Sequence, residues 1–423
     1  MKKRSAETEV IVVGGGIVGL ACAVQLTIEG HRVSVIEPNE PASGCSSGNA
    51  GYLADAAIFP PAAYVKLRRV PGMLVDPLGP LAIRPSHVLR FMPWAVRALA
   101  SLQGRNLEET VAALAALNKS AIGYLGAMLD ACDAADLIDL RGALVVCRTE
   151  ALLEERARML PVLEAHGIAA RRLTGDEVRE LEPALSADVV GGIFFPDSGR
   201  CLDPRGVGRC FAAKVVEWGG RLIRARATAI SPKADGTWSV HTDSGVHAVR
   251  AVVVCAGRWS DALVRPLGYR VPLESERGYH LMLPNPDVTL MRPVVLAERH
   301  FVATTMSAGL RLAGTSEFAD IDAPMNPQRA DMMYGLAAGY LTGLKDEGAV
   351  RWLGVRSALP DARPAIGESR RHRNLFYCFG HHHLGLTCSA ISAKIVAELV
   401  GGKAPPVDPR PFRIERFVGC DPT

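Results

Sequence analysis

The sequence predicts an α/β fold in two parts, and three observations carry that reading. A β-branched run, Glu9-Val10-Ile11-Val12-Val13, enters the glycine cluster Gly14-Gly15-Gly16-Ile17-Val18-Gly19, and a helical stretch follows. Far downstream stand a buried-looking strand, Ala251-Val252-Val253-Val254-Cys255, closing at Ala256-Gly257, and another, Leu375 to Gly380, before a helix that opens at Gly385-Leu386-Thr387. Between them lie long helical and mixed-strand stretches suited to a second layer. The domains are therefore expected to interleave: a dinucleotide-binding domain from 1–60, 203–268 and 355–423, and a mixed-sheet domain from 61–202 and 269–354.

Each element has its own warrant. Leu20 to Glu29 reads as a helix ending at Gly30, and Arg32 to Ile36 as the next strand. Glu37 closes that strand 18 residues past Gly19, where a dinucleotide-binding βαβ unit keeps the acid that holds a ribose. Gly14 permits the tight turn, Gly16 admits a pyrophosphate and Gly19 lets helix and strand pack, with the phosphates at the positive helix end. Pro85 to about Cys132 is helical and alanine-rich; its segment Phe91 to Leu99 suits a membrane surface or inward packing, and packing is the expectation. Leu140 to Cys147 reads as a strand, Thr149 to Ala165 as a helix, and Thr174-Gly175-Asp176-Glu177 as a capping-box start. Thr237 to Thr242, the turn Asp243-Ser244-Gly245 and Val246 to Arg250 form a hairpin. From Gly278 to Gly354, short strands such as Leu310 to Gly314 mix with a helix near Asp331 to Gly343.

Composition narrows the function. With 423 residues, 48% hydrophobic and 22% charged, the chain is an ordinary globular one. Lysine and arginine total 48 against 44 acids, a net charge of +4, and no block of like charge offers a footprint for nucleic acid. The ten cysteines are scattered without a C-x-x-C pair, so they read as reduced, mostly buried thiols. Glu7 and Glu9 interrupt the basic N-terminus, and no uninterrupted apolar stretch of about 18 residues occurs. The expected location is cytoplasmic, with peripheral contact at the inner face of a membrane and the oligomeric state both left open.

Further motifs carry a resemblance. Val12 to Gly19, then Gly44-Cys45-Ser46-Ser47-Gly48-Asn49-Ala50-Gly51, then Val254 to Ser260, then Trp352-Leu353-Gly354-Val355-Arg356, Pro364-Ala365-Ile366-Gly367 and Gly380-His381-His382-His383-Leu384-Gly385-Leu386-Thr387 stand in one order. In that order they resemble flavoenzymes of the D-amino-acid oxidase superfamily, most closely FAD-dependent D-amino-acid dehydrogenases of the D-hydroxyproline type. The resemblance implies a discontinuous Rossmann-like FAD-binding domain beside a substrate domain. It implies FAD contacts from Gly14, Gly16, Ile17, Val18, Gly19, Glu37, Ser46, Ser47, Asn49, Ala50, Gly51, Ala227, Cys255, Ala256, Gly257, Gly367, Leu384, Gly385, Leu386 and Thr387. The FAD is expected to be non-covalent, because no cysteine lies between Trp352 and Gly367 and no histidine in the Gly44 to Gly51 loop.

Arg356 is implied to grip the substrate's α-carboxylate, which a guanidinium fork does and lysine does not. His383, Tyr279, Tyr52 and Arg311 are further candidates for the cavity. The three histidines suggest a metal, but consecutive side chains of an extended stretch alternate faces, so none is expected. Ser357 follows Arg356 where close relatives commonly carry proline, so the pocket wall departs from the family there. The implied reaction takes a D-amino or D-imino acid, passes its α-hydrogen as hydride to the flavin, and hands the electrons to a quinone or another acceptor. Orientation supplies much of that catalysis, and no general base is expected. An oxygen-using or N-demethylating amine oxidase shares every motif, and a FAD-containing binding protein without turnover is the rival of another class.

Overall fold

The computed structural model describes residues 8–64, 79 and 81–417; the N-terminal residues 1–7 read above for an export signal lie outside them. The first sheet gathers strands from three separated stretches. β1 (Glu9–Val13), β2 (Arg32–Ile36), β10 (Arg221–Ile223), β14 (Ala251–Val254), β20 (Ala365–Glu368) and β21 (Leu375–Phe379) pair in the order β10-β2-β1-β14-β21-β20. All pairs are parallel except β20 with β21. Side-chain alternation assigns the two faces. Val10 and Val12 enter a core with α1 (Ile17–Ile28), α8 (Pro204–Glu217) and α11 (Ser389–Val400), while Ile11 and Val13 face the small sheet β11 (Ala227–Pro232), β12 (Trp238–Thr242) and β13 (Gly245–Val249). β14 is central and buried at every position, which suits its unbroken valines, each worth about 1.5–3 kcal/mol when buried.

Among the described residues the second sheet has nine strands. β19 (Val350–Ala358), β15 (Glu274–Leu283), β18 (Gly309–Phe318), β17 (Phe301–Met306), β16 (Val294–Leu296), β6 (Ala143–Cys147), β8 (Gly191–Phe195) and β7 (Arg171–Thr174) follow in that order, with β4 (Leu81–Ile83) added beside β18. One face packs on α10 (Pro327–Ala338) through Tyr279, Leu281 and Met333. The other faces the nucleotide half. β3 (Tyr52–Leu53), β9 (Gly199–Cys201) and β5 (Ile138–Asp139) form a small sheet of their own.

The helical stretch resolves into α2 (Val88–Ser101), α3 (Gly104–Asn118) and α4 (Ala121–Ala131). Gly104–Ala131 is on average long and apolar enough to cross a membrane, yet 56% of its most apolar window is buried and Lys119 interrupts it. Some boundaries differ from the sequence reading: α1 starts at Ile17 and not Leu20, and β6 at Ala143 and not Leu140. The helix expected over 149–165 breaks into α5 (Glu150–Ala157) and α6 (Leu160–Ala165), because Pro161 is tolerated only in a first helical turn. The helix expected near 331–343 starts earlier, at Pro327, where the Asn326 side chain accepts from the Gln328 amide. Residues 385–387 form turns, and regular helix begins at Ser389. The capping box at Thr174 heads α7 (Gly175–Leu181), and α9 (Ser260–Val264) follows the Gly257 turn.

Candidate active site

The carboxyl ends of β1, β2 and β14 meet at the glycine cluster. Gly14 has φ +112°, and a Cβ there would stand 2.4 Å from the Cys255 carbonyl oxygen, so the turn admits only glycine. Gly16 stands at the N-cap of α1 and has no side chain of its own to offer the first amides. Glu37 folds over this turn: one carboxylate oxygen accepts from the Gly15 amide at 2.8 Å, the other from Asn39 at 3.0 Å. Ser46 accepts from the Ile17 amide at 3.0 Å, and Val18 packs on the core at the head of the same helix. The neighbouring loop holds itself, with Ser47 donating to the Gly44 carbonyl at 2.9 Å and Asn49 accepting from the Gly51 amide at 2.8 Å.

From this loop a cavity of about 800 Å³ opens toward the second sheet, lined by Cys45, Asn49, Ala50, Tyr52, Leu384 and Thr387 on one side and by Glu276, Ser316, Trp352, Arg356, His382 and His383 on the other. Strand register assembles the far wall. Glu276 on β15 is the direct cross-strand partner of Arg356 on β19, so both side chains leave one face, and Arg356 Nη1 donates to Glu276 Oε1 at 2.8 Å. The guanidinium lies flat over Gly278, where a Cβ would stand 2.2 Å from Nη2. Ser316 also donates to Glu276. Two positions along the same face, His280 stacks on Trp352 with ring centroids 4.8 Å apart and its Nδ1 3.2 Å from the Gly48 carbonyl.

Glu276 is only 2% exposed in its side chain. Burial alone would raise its pKa, but His382, His383 and Arg356 outweigh that and hold it well below the usual carboxylate range. His382 Nε2 lies 2.5 Å from one carboxylate oxygen and His383 Nε2 3.2 Å from the other. The expectation that these neighbours diverge is corrected: His382 has φ +52°, a left-handed residue that breaks the alternation and brings both rings to Glu276. The three groups offer ligand atoms within 4.8 Å of one another, but the Arg356 cation already occupies the same carboxylate, so the cluster reads as an ion-pair network. His381 turns away, its Nε2 3.0 Å from Ser392 Oγ, and burial lowers its pKa to about 3.

Other expected residues fall elsewhere. Tyr279 is not on the cavity wall: it alternates with Glu276 and Gly278 to the opposite face, 1% exposed, donating to Glu317 at 2.7 Å. Arg311 works beneath the loop, donating to the Ser47 and Asn49 carbonyls at 3.1 and 2.5 Å. It shares the cavity side with Ser316 because Thr315, φ +55°, bulges β18 and switches its parity. Gly367 sits on the edge strand β20 against Tyr377, and Ala227 opens β11 beside the core of the small sheet, so neither lines the cavity. Cys255, Ala256 and Gly257 close β14 beside the glycine turn. Leu386 is buried in the core, Gly385 packs near Val18, and Thr387 accepts from the Ala54 amide at 3.3 Å. Ser357 extends β19 by pairing with Ser275, and its carbonyl accepts from the His382 amide at 3.2 Å. Sequence reasoning missed Glu276, His382, Gly278 and Cys45; for Glu276 and Gly278, a period-two reading across facing strands is the signal that finds them.

A dinucleotide site at a crossover of parallel strands, joined by a cavity to a mixed sheet that presents a buried ion pair, defines a nucleotide-dependent redox enzyme. Residues 9–399 match the family described as FAD dependent oxidoreductase, and the chain belongs to that family, with FAD as its cofactor. It is 34% identical over 416 residues to a protein of Bradyrhizobium diazoefficiens named D-amino-acid oxidase, covering 97% of this chain and 99% of that one. It is 30% identical to a protein of Rhizobium johnstonii named D-amino acid dehydrogenase, covering 97% and 100%. The fold matches glycine oxidase from Geobacillus kaustophilus with a TM-score of 0.72 at 22% identity, covering 97% of this chain and 100% of that one.

Proposed function

We propose that the protein oxidises a D-amino or D-imino acid, D-proline or D-hydroxyproline being the type expected, and binds it as a zwitterion between Arg356 and Glu276. The observation that carries this reading is the cross-strand pair itself: a cation and a carboxylate side by side on the cavity wall. Such a pair complements the α-carboxylate and the α-nitrogen of one amino acid at once. The names of the two relatives support the D-amino-acid class.

The residues at the glycine turn, Glu37 and the Ser46 to Gly51 loop fit FAD: the turn brings backbone close, α1 opens at Gly16 with the Ser46 hydroxyl on its Ile17 amide, and the cavity begins where that loop ends. When bound, the flavin supplies the acceptor for the α-hydrogen and its electron pair. The chain's own part is binding and proton handling. Arg356 fixes the carboxylate, Glu276 takes an N–H of the substrate nitrogen, and His382 beside Oε2 is placed to take the departing proton onward. Loss of that proton and of the hydride leaves an iminium, which water or cyclisation then consumes. Arg311 acts as a positioning residue under the loop, and Tyr52 and His383 border the substrate.

The strand assignments support a FAD domain of 1–60, 203–268 and 355–423 and a substrate domain of 61–202 and 269–354. FAD is proposed to be held without a covalent bond: Cys45 is the cysteine that lines the cavity among the described residues, and burial pushes its thiol up to about 11, away from the nucleophilic thiolate. Acid precipitation should release the yellow colour; colour left on the polypeptide would implicate Cys45. The function is tested by anaerobic flavin bleaching across D-amino acids, L-amino acids and N-methyl amines. Bleaching by D-imino acids is expected, and bleaching by N-methyl amines alone would overturn the proposal. Mixing the reduced enzyme with oxygen and with a quinone in a stopped-flow instrument then identifies the acceptor.

A further inference from the structure

Away from the active site the described residues enclose a second cavity, of about 480 Å³, whose walls are dominated by arginine. Arg370, Arg371 and Arg373 come from the turn between β20 and β21, Arg413 from the chain that follows α11, and Glu368 is the one acid among the lining residues. The turn is held at three successive amides. The Arg370 amide donates to Glu415 at 2.9 Å, and the Ser369 hydroxyl accepts from the Arg371 and His372 amides at 3.2 and 2.8 Å. Arg371 is anchored further, its Nη1 donating to the Gly268 carbonyl at 3.1 Å and its guanidinium 5.7 Å from the centre of the Tyr269 ring.

The neighbouring carboxylates leave this cluster cationic. Asp361 is engaged by Arg363 and Arg416, Asp408 by Arg410, and Glu415 by the Tyr269 and Tyr377 hydroxyls. Arg370, Arg373 and Arg413 make no ion pair among the described residues. Glu368 is a poor counter-charge, because burial raises its pKa against the opposing pull of the Asn374 amide and Arg373. Guanidiniums gathered in a hollow repel one another until an anion joins them, and their paired donors match the oxygens of phosphate.

We propose that this cavity binds a small molecule carrying two or more phosphate groups, with Arg370, Arg373 and Arg413 as its ligating cations. Size favours more than a single phosphate: 480 Å³ falls among the volumes of about 300–1,000 Å³ that hold whole small molecules. Leu399 and Pro409 close one side with apolar surface, which suits the carbon part of a phosphate ester. Shape argues against nucleic acid, whose readers spread their cations along a face or a helix, whereas these converge from two segments on one hollow. The site is also separate from the dinucleotide's. It lies at the amino end of β21, while the glycine turn lies at the carboxyl ends of the strands parallel to it, and the two cavities share no lining residue. The proposal is therefore independent of the substrate reading above.

Calorimetric titration of the FAD-saturated protein with pyrophosphate at constant ionic strength tests it. One pyrophosphate should bind per chain without change in flavin absorbance, and sulfate should bind roughly tenfold more weakly. Arg370→Ala together with Arg373→Ala should weaken pyrophosphate binding about 10- to 150-fold. Arg370→Lys together with Arg373→Lys keeps the charge but loses the forks, and should weaken it roughly tenfold. Flavin bleaching by D-amino acids should be the same in both variants as in the wild type. Hydrogen exchange on the unsubstituted protein gives a readout independent of any variant: amides of 368–374 and 410–414 should gain protection when pyrophosphate is added. Binding no tighter than that of sulfate, wild-type affinity in the lysine variant, or protection confined to the glycine turn would each overturn the proposal. So would a short RNA that displaces pyrophosphate at lower concentration than pyrophosphate itself requires, because the arginines would then serve a nucleic acid.

Discussion

The glycine turn and its acid are put together from residues 14 to 37, whereas Arg356 meets Glu276 across 80 positions of chain. The first region grips its ligand largely with backbone: a turn that only glycine can make and one carboxylate folded over it. The second uses side chains alone, aligned by the register of two antiparallel strands and set in a network of one carboxylate and three basic groups. Local, backbone-built sites lose binding when a side chain is removed. Register-built sites lose orientation, and the two kinds of loss separate cleanly in kinetics.

The largest effect should follow Arg356→Ala. Truncating one member of a buried charge pair costs about 2–5 kcal/mol, so kcat/KM for D-amino acids should fall roughly 30-fold to several thousandfold, with FAD retained by absorbance. Gly278→Ala should come next. Its new methyl would push the end of a flexible side chain and leave the backbone in place, so melting should change little while displacement of the guanidinium lowers kcat/KM roughly a hundredfold. Normal turnover in that variant would show that Arg356 needs no fixed seat.

Glu276→Gln keeps the shape and removes the charge; KM for D-amino acids should rise roughly tenfold to a hundredfold, the worth of one charge-assisted hydrogen bond. The same variant has a pH signature. The folded carboxylate titrates well below its ordinary 4.5, so its contribution to stability is fully present above that pH and fades as pH falls through the lower folded value. The gap in melting temperature between wild type and Glu276→Gln should therefore close toward acid, and a gap that widens there would mean the carboxylate is not held ionised. Smallest for catalysis is Glu37→Ala: FAD should dissociate about 10- to 150-fold more readily, with substrate preference unchanged. Unaltered FAD affinity would place Glu37 away from the cofactor.

The same contrast governs what the sequence discloses. Gly14, Gly19 and Glu37 lie within one βαβ unit, so spacing alone locates them, and the hairpin β12–β13 and the Thr174 capping box are local in the same way. Arg356 is found through the family motif, but its partner is not, because Glu276 carries no local signal and only the pairing of β15 with β19 brings it there. Tyr279 was expected in the cavity for the same want of register: a tyrosine three residues along the strand is one face too far. His382 escapes the alternation rule through a single left-handed residue, and Arg311 through the bulge at Thr315, neither of which a side-chain pattern reveals.

Anaerobic mixing of wild type and Arg356→Ala with D-proline, and in parallel with pyrrolidine, the same ring without its carboxylate, puts the central claim to the test through the rate of flavin bleaching. If Arg356 holds the carboxylate, the substitution slows bleaching by D-proline at least 30-fold and changes whatever rate pyrrolidine gives far less. Equal losses with both compounds would trace the defect to the flavin's surroundings, and a wild-type rate with D-proline would contradict the account outright.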